Sequence, residues 1–466
     1  MAKLTFLGAT GEVTGSRYLI EPDNSTLLLE CGLLQGGHDA DERNRAPLSD
    51  LARRVDAVVL SHAHLDHCGL LPRLIRAGYR GPIHCTPATA ELLEIMLRDA
   101  AFVMERELEA ENAWREKRRK SPLEPLFDLD DVIATLDRCE PLAYGEPRRI
   151  TSDATIVFRD AGHILGSAIV EFNLQSAGRR RRLVFSGDLG NPTSALMNAP
   201  QRVHNADAVL LESTYGDRDH RPLDETIEEL AGILETASDD GGNVLIPAFA
   251  VGRTQALLYH LALLYYDNRL PQQRIFLDAP MGIEVSELYA RLYRQLNESD
   301  LRTLREAASD DYTQWLPPLR ITRTPEESMQ INRLSGGAII IAGSGMCEGG
   351  RILHHLRYNV GRRNCHLIIS GFQASGTRGR QLVDGADEIT LFGEALPVRA
   401  TVHTLGGLSA HAGQSELVGW AAAFEDRPVF YLVHGERAKQ EALQSALEEQ
   451  IDADVRIPRM GDSVEI

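Results

Sequence analysis

The sequence predicts an α/β protein in which one α/β domain is inserted into another. The chain has 466 residues, which is more than one ordinary domain needs. Short apolar runs dominate its first part, and strands alternate with helices after Asp207. The composition, 43% apolar and 25% charged residues, excludes a disordered or fibrous chain.

The elements before residue 207 are predicted from apolar runs between turn residues and from apolar side chains at helical spacing. The predicted strands lie at 4–8, 18–20, 27–29, 55–60, 155–158, 168–172 and 183–185, and the predicted helices lie at 70–76 and 88–120.

The elements after residue 207 alternate between strand and helix. The runs AVLLES, NVLIPAF, RIFLDAP, GAIIIAG and CHLIISG are predicted strands, with helices near 224–237, 254–267, 284–295 and 350–359. This alternation predicts a parallel sheet flanked by helices. Then come a strand in PVRATVHTL, a helix near 414–424, a strand in VFYLVHG and a helix near 436–449. We expect 1–207 and 396–466 to form the outer domain and 208–395 to form the inserted domain.

The charge, the apolar runs and the cysteines limit the partners and the location. The net charge of −18 argues against broad nucleic-acid binding through a basic surface. No apolar run approaches the roughly 18–20 residues that span a bilayer, so no membrane partner is expected. The start resembles no signal peptide, and none of the six cysteines forms a C-x-x-C pair. Reduced thiols and a cytoplasmic location are therefore expected.

A dense group of metal-binding side chains follows the predicted strand at 55–60, in Ser61-His62-Ala63-His64-Leu65-Asp66-His67. Side chains two apart in an extended segment share a face, so His62 and His64 can bind one ion. The chain then turns into a helix, which directs Asp66 and His67 towards a second ion. Imidazole and carboxylate groups suit Zn²⁺ or a similar divalent cation. An accidental surface cluster is disfavoured, because α/β sheets bind ligands beyond strand ends.

Three more polar residues beside glycine are candidates to complete two metal sites. His163 lies between two predicted strands, whereas Asp188 and His434 each follow a strand directly. Each alone is a weak indication, since a single histidine beside glycine is more often a capping or surface residue. Together, and in this order, they support the metal-site hypothesis.

The order of these motifs, which is H-x-H-x-D-H, a lone histidine, S-G-D and a C-terminal histidine, resembles the metallo-β-lactamase superfamily of dinuclear hydrolases. The resemblance implies an αββα sandwich that holds two Zn²⁺ ions, with Mn²⁺ and Fe²⁺ as alternatives. Carried over to this chain, metal 1 is held by His62, His64 and His163, metal 2 is held by Asp66, His67 and His434, and Asp188 bridges both.

The region 208–395 resembles the β-CASP domain of nucleic-acid-processing members of this superfamily, such as the pre-mRNA 3′-end endonuclease and its prokaryotic relatives. Glu212 in LESTYG matches the acidic motif A, His411 in LSAH matches motif B, and His434 in VHG matches motif C. A histidine at motif C is typical of the RNA-processing branch. The resemblance covers nearly the whole chain and implies hydrolysis of single-stranded RNA by an endonuclease, with exonuclease activity left open.

Asp66, Glu212 and His411 are the candidate catalytic residues. Histidine titrates near neutral pH, so His411 suits a general acid or a hydrogen-bond donor to the scissile phosphate. A neighbouring carboxylate favours the charged imidazolium, so Glu212 could orient His411 and keep it protonated. The alternative is that His411 is only a helix-entry residue.

Three glycine-rich loops of the inserted domain lead into predicted helices, where backbone amides form anion sites. They are Gly252-Arg253-Thr254, Gly343-Ser344-Gly345-Met346 and Ser375-Gly376-Thr377-Arg378-Gly379. Each could be only a tight turn, but the three together favour a locally positive track for phosphate groups. The predicted substrate-binding residues are Arg253, Ser344, Arg351, Ser375 and Arg378.

Glu30 stands where the family usually has aspartate before Cys-Gly. We expect it beside the metal ligands, where its extra methylene changes ligand orientation or metal affinity. A homodimer is left open. A DNA nuclease, a small-molecule metallohydrolase and a non-catalytic RNA-binding paralogue are the alternative functions, and the presence of every candidate ligand argues against the last.

Two basic runs are expected to be solvated surface, with an RNA-guiding patch as the alternative. Lys117-Arg118-Arg119-Lys120 ends the long predicted helix, where cations suit the helix dipole. Arg179-Arg180-Arg181-Arg182 is predicted to be a hairpin turn.

Overall fold

A computed structural model describes residues 1–36, 39–307, 315–374 and 376–466. These residues form two compact units. The first unit comprises Met1–Pro192, Ala199–Asp219 and His411–Ile466, and the second comprises Thr193–Asn198 and His220–Ala410. The units divide at residues different from the expected domain boundaries, since 208–219 lies in the first unit, and 193–198 and 396–410 lie in the second.

The first unit contains two sheets with one core between them. One sheet has the spatial order Ser463–Glu465, Lys3–Phe6, Tyr18–Glu21, Leu27–Leu29, Ala57–Val59, Ile83–Cys85, Cys139–Pro141. The other has the order Asp454–Arg456, Val429–Val433, Ala208–Glu212, Arg179–Phe185, Ala168–Ser176, Ala154–Asp160, Arg148–Arg149. Alternate side chains of both sheets, including Leu4, Ile20, Phe158 and Phe172, form the shared core.

Helices cover the outer faces of these sheets. The helices of the first unit are Ala40–Arg45, Ser49–Arg54, Leu65–Cys68, Leu71–Arg76, Pro87–Lys117, Leu129–Leu136, Gln414–Ala421 and Arg437–Ile451. Leu417 and Leu443 of the last two pack on Val209 and Leu432, on the sheet face opposite the shared core. This arrangement is the expected αββα sandwich.

The second unit is built on a parallel sheet, as its strand–helix alternation predicts. The order is Leu319–Ile321, Ile275–Leu277, Ile339–Ala342, Val244–Pro247, His366–Ile369, Thr401–Thr404, with a separate hairpin of Glu388–Leu391 and Glu394–Pro397. Its helices are Leu223–Asp239, Arg253–Tyr266, Pro280–Arg291, Tyr293–Gln295 (3₁₀), Glu298–Ala307, Pro325–Ile331, Ile352–Asn359 and Arg378–Val383. The central strand Ile339–Ala342 is buried at every position, as a parallel sheet covered on both faces requires.

The arginine run 179–182 is not a turn, in contrast to the sequence prediction. It lies within the strand Arg179–Phe185, and Arg179 pairs with Ser176 across the hairpin. The turn falls at Ala177 and Gly178, whose φ values of 50° and 73° suit the tight turn that such a hairpin needs.

Within the part of the chain that the structure describes, no helix is long and apolar enough to cross a membrane. All six cysteines lie in that part and are free thiols.

Candidate metal centre

The H-x-H-x-D-H segment takes the conformation that its sequence predicts. His62 and His64 lie in the extended stretch after the strand Ala57–Val59, and His64 has φ −65° and ψ 144°. The helix Leu65–Cys68 begins directly after it and carries Asp66 and His67. The change from strand to helix therefore separates the four side chains into two pairs.

The first pair is completed by His163. The Nδ1 atom of His64 lies 3.1 Å from Nε2 of His62 and 3.3 Å from Nε2 of His163. The carboxylate of Asp188 closes this group, with Oδ2 3.5 Å from His62 and 3.6 Å from His163. These four residues form the group that we call cluster 1.

The second pair is completed by His434, from the end of the strand Val429–Val433. Its Nε2 atom lies 3.1 Å from Nε2 of His67 and 3.3 Å from Oδ2 of Asp66. The other oxygen of Asp188, Oδ1, lies 3.4 Å from Nε2 of His67 and 3.5 Å from Nδ1 of His434. Asp66, His67, His434 and Asp188 form cluster 2, and Asp188 therefore belongs to both clusters.

The distances within the clusters fit metal ligation. Four ligands at about 2.0–2.1 Å from a tetrahedral Zn²⁺ lie about 3.3–3.4 Å from one another. The separations in cluster 1 are close to this value, and cluster 2 is slightly wider, with 3.9 Å between Nε2 of His67 and Oδ2 of Asp66. The buried Oδ1 of Asp188 has no hydrogen-bond donor among the described residues, although an unpaired buried carboxylate oxygen is costly. A divalent cation in each cluster would satisfy these groups.

Glu30 contacts residues that hold the ligands of both clusters in place. Its Oε2 lies 2.5 Å from Nδ1 of His67 and accepts a hydrogen bond of 2.9 Å from the Ser61 hydroxyl, and its Oε1 accepts one of 2.7 Å from the Ser61 amide. The same hydroxyl lies 2.9 Å from Nδ1 of His62. Burial raises the pKa of the fully buried Glu30, against the opposing contacts with His67 and Ser61. Glu30 therefore fixes the ring of His67 directly and that of His62 through Ser61.

Two supporting residues were missed by sequence reasoning. Ser61 contacts His62 as described, and the hydroxyl of Thr214 lies 3.0 Å from Nδ1 of His434. Each stands next to a recognised motif, at the start of the histidine segment and two residues after Glu212. A hydroxyl residue beside a metal-binding motif could have identified both residues, because metal-binding histidines usually form a hydrogen bond through their second nitrogen.

The backbone around the clusters is strained and closely packed. His434 has a φ of 52° and Glu30 a φ of 61°, a region that residues other than glycine rarely adopt. At Gly190, a Cβ atom would lie 1.9 Å from the Gly162 carbonyl oxygen, so only glycine allows this segment to reach the His163 loop. These features hold side chains from distant parts of the sequence at one place.

His411 and Glu212 lie together beside cluster 1. Nδ1 of His411 lies 3.2 Å from Oε1 of Glu212 and 4.0 Å from Oδ2 of Asp188. Burial disfavours the charged imidazole, but the carboxylates of Glu212, Asp188 and Asp66 outweigh it and raise the pKa of His411 to about 9. The oxygens of Glu212 also accept hydrogen bonds from the amides of Leu189 and Thr214, so they are committed to positioning His411.

The predicted phosphate-binding loops lie at one edge of the second unit. They follow the neighbouring strands Ile339–Ala342, Val244–Pro247 and His366–Ile369, and the Gln373 side chain joins two of them by donating to the Gly345 carbonyl over 3.0 Å. The guanidinium of Arg253 lies against Gly371, where a Cβ would be 3.1 Å from Nη1. Phe249 and Phe372, which sequence reasoning missed, are 43% and 47% exposed in these loops.

The other predicted phosphate contacts have protein partners. Arg351 donates to Asp278 over 2.6 Å and to the carbonyls of Thr322 and Arg323. Arg378 donates to Glu348 over 3.0 Å, and the Ser344 hydroxyl accepts from the amides of Glu348 and Gly349. Ser375 lies outside the described residues. The contacts of Arg351 are those of a residue that stabilises the second unit. Phosphate binding by Arg351, Arg378 and Ser344 stays a prediction.

An αββα sandwich with two histidine–carboxylate clusters that share one aspartate defines the class of metallo-β-lactamase-type, metal-dependent hydrolases. Family models agree with this class. A Beta-lactamase superfamily domain matches residues 17–247, a Beta-Casp domain matches 254–382, and a Zn-dependent metallo-hydrolase RNA specificity domain matches 395–458.

Curated relatives define the family within this class. Ribonuclease TTHA0252 of Thermus thermophilus is 41% identical over 98% of this chain and 99% of its own length. The RNase J-like protein of Methanocaldococcus jannaschii is 30% identical, over 94% of this chain and 93% of its own. Transcription termination factor FttA of Pyrococcus horikoshii is 30% identical, over 100% of this chain and 71% of its own. The chain belongs to the β-CASP metallo-β-lactamase family of ribonucleases.

A solved structure supports the fold alone. A protein of unknown function from Enterococcus faecalis superposes with a TM-score of 0.54 at 13% identity, over 99% of each chain.

Proposed function

We propose that this chain is a metal-dependent ribonuclease that hydrolyses phosphodiester bonds of single-stranded RNA with two Zn²⁺ ions. The carrying observation is the carboxylate of Asp188, which has one oxygen in each cluster. When bound, a pair of divalent ions supplies charge neutralisation and an activated water nucleophile for attack on phosphorus. His62, His64 and His163 would hold one ion, Asp66, His67 and His434 the other, and Asp188 both.

His411 is proposed as the general acid that protonates the leaving oxygen of the RNA. Its Nδ1 atom faces Glu212, so we assign proton donation to Nε2. Asp188 and Asp66 also favour the charged imidazole, but that contribution shrinks once cations neutralise them. Glu212 would then be the group that keeps His411 protonated, which makes it a positioning residue rather than a catalytic one. Asp66 would both hold an ion and accept a hydrogen bond from the attacking water.

The loop edge of the second unit supports RNA as the substrate. Its glycine-rich turns offer backbone amides to phosphate groups, and the exposed rings of Phe249 and Phe372 suit stacking on unpaired bases. The RNA specificity family model at residues 395–458 points to the same substrate class. Single-stranded RNA is favoured, because bases in a duplex are not available for stacking.

The test compares purified metal-loaded protein with two variants on end-labelled single-stranded RNA, single-stranded DNA and a p-nitrophenyl phosphodiester. His411→Ala is expected to lose about 10²–10⁴-fold in kcat while it keeps its metal, which elemental analysis measures. His204→Ala is the matched control, since His204 is an exposed histidine of the same unit, and it should cleave like the wild type.

The outcomes separate the alternatives. Internal fragments indicate an endonuclease, and a ladder of terminal products indicates an exonuclease. Cleavage of DNA or of the small ester in preference to RNA would favour another hydrolase, and RNA binding without turnover would favour a non-catalytic paralogue. Elemental analysis distinguishes Zn²⁺ from Mn²⁺ and Fe²⁺, and gel filtration tests for a homodimer.

A further inference from the structure

The helix Pro87–Lys117 projects from the first unit. It has 31 residues, and its buried side chains end at Ala101. Its first turn lies beside the His163 loop, because the hydroxyls of Thr86 and Thr89 donate to the Gly166 carbonyl over 2.7 and 2.8 Å. At 1.5 Å per residue the helix is about 46 Å long, so its far end lies about that distance along the axis from the end beside the His163 loop.

The far end of this helix is held by hydrogen bonds rather than frayed. The side chain of Asn112 donates to the Leu123 carbonyl over 3.0 Å and accepts from the Leu123 amide over 2.8 Å. Nε of Arg115 donates to the Ser121 carbonyl over 2.7 Å. The chain that follows the helix is therefore fastened back onto its last turns, which presents Trp114 and 117–120 in a fixed arrangement. We call Trp114 and 117–120 the helix tip.

The cations of the helix tip are not neutralised by carboxylates. Among the described residues, no Asp or Glu oxygen lies within 4.0 Å of the charged groups of 117–120, although neighbouring Arg115 pairs with Glu111. In the other basic run, Arg181 pairs with Asp207 over 2.9 Å. Four consecutive cations without an ion pair to a described carboxylate are a local exception in a chain of net charge −18, and charge of this sign favours a polyanion.

An aromatic ring lies among these cations. Trp114 is 41% exposed, with the guanidinium of Arg118 4.0 Å and the ammonium of Lys120 5.0 Å from its ring centre. The helix dipole suits cations in the last turn, and cation–π contacts hold Arg118 and Lys120 beside an indole that stays 41% exposed. Unpaired bases stack on aromatic rings, and phosphates bind the adjacent cations, so the combination has the chemistry of a single-stranded nucleic-acid site.

We propose that the helix tip is a second RNA-binding site, which holds single-stranded RNA about 40 Å or more from the metal centre along this helix. The proposal rests on the proposed ribonuclease function for the identity of the polyanion. A stacked strand advances about 3.4 Å per nucleotide, so an RNA needs roughly a dozen nucleotides to reach both sites. The tip therefore selects long RNA over short RNA, whereas the metal centre alone does not.

The test uses the double variant Arg118→Gln/Lys120→Gln and the single variant Trp114→Ala. The matched control is Arg53→Gln/Arg54→Gln, which removes the same charge from exposed arginines of the same unit that pair with Asp50 and Glu21. Binding of a fluorescent single-stranded RNA of about 30 nucleotides is measured by anisotropy in EDTA over a salt series. Cleavage of that RNA and of one of about five nucleotides is measured with metal-loaded protein, because the shorter RNA cannot span the helix.

Each phosphate contact on a single strand changes the slope of log K against log salt by about 0.7. Loss of two contacts therefore lowers the binding constant by about 25-fold at 0.1 M salt. The double variant should weaken binding of the long RNA by about this factor, and Trp114→Ala by at least about fivefold. The control should stay within about twofold of the wild type, and cleavage of the short RNA should be unchanged.

Two results overturn the proposal. One is that the tip variants bind the long RNA as tightly as the control does. The other is that Trp114→Ala changes the oligomeric state in gel filtration without changing RNA affinity, which would make the tip a protein contact. Failure of the proposed function gives a different result. The wild type would then cleave neither the long nor the short RNA, regardless of the RNA affinity of the tip variants.

Discussion

Replacement of Glu30 by glutamine tests whether the carboxylate behind the clusters controls metal affinity. Glutamine matches the shape of Glu30, so it can still accept the hydrogen bond from the Ser61 amide. Its NH₂ group, however, would face Nδ1 of His67, which must itself carry a proton when Nε2 binds a metal. Two donors would then oppose each other at the present separation of 2.5 Å.

The expected loss is about 10–100-fold in metal affinity, or about 1.4–2.7 kcal/mol, with the larger effect in cluster 2. Competition with a chromophoric chelator measures it, and circular dichroism confirms that the variant is folded. Glu171→Gln is the control, since Glu171 is a buried glutamate of the same unit that pairs with Arg159. If the folded Glu30→Gln protein binds both metals as tightly as the control and turns over RNA at the wild-type rate, Glu30 does not support the clusters as described.

Three further predictions follow from the contacts. Thr214→Val removes the hydroxyl beside Nδ1 of His434 and should lower metal affinity about 10-fold in the same titration. Asp278→Asn should destabilise the second unit by about 3–5 kcal/mol in denaturant unfolding, because the buried carboxylate pairs with Arg351 and His355. Burial opposes the charged form of Asp278, but its hydrogen bonds lower its pKa to about 2, below the ordinary 3.8. The ionised carboxylate therefore contributes about 2 kcal/mol to the free energy of unfolding above pH 4, and this contribution is lost as the pH falls from about 4 to 2. Denaturant unfolding should show this loss of stability in the wild type but not in Asp278→Asn.

The sequence predicts the local part of the candidate site well. His62, His64, Asp66 and His67 lie within six residues, so a strand followed by a helix is enough to direct them. The partners His163, Asp188 and His434 were found by the order of motifs in a family, since nothing local brings them to the same place. The fold class followed from strand–helix alternation for the same local reason.

The features that could not be predicted from the sequence depend on packing between distant segments. Arg351 begins a helix after a glycine-rich loop, which suggested a phosphate contact, but its partner Asp278 stands 73 residues earlier. The strand Thr401–Thr404 follows the apparent end of the inserted domain, yet it pairs with His366–Ile369 inside the second unit. Both relations are set by sheet order, and hydrophobic periodicity carries no information about sheet order.

The contact between His67 and His434 joins residues 367 positions apart, and the second unit is encoded between them. A nascent chain therefore contains every residue of cluster 1 once residue 188 has been made, but it lacks a ligand of cluster 2 until residue 434 has been made and the strand Val429–Val433 has joined its sheet. Partly made chains thus hold an incomplete centre. The complete set of candidate ligands therefore exists only after synthesis has passed residue 434.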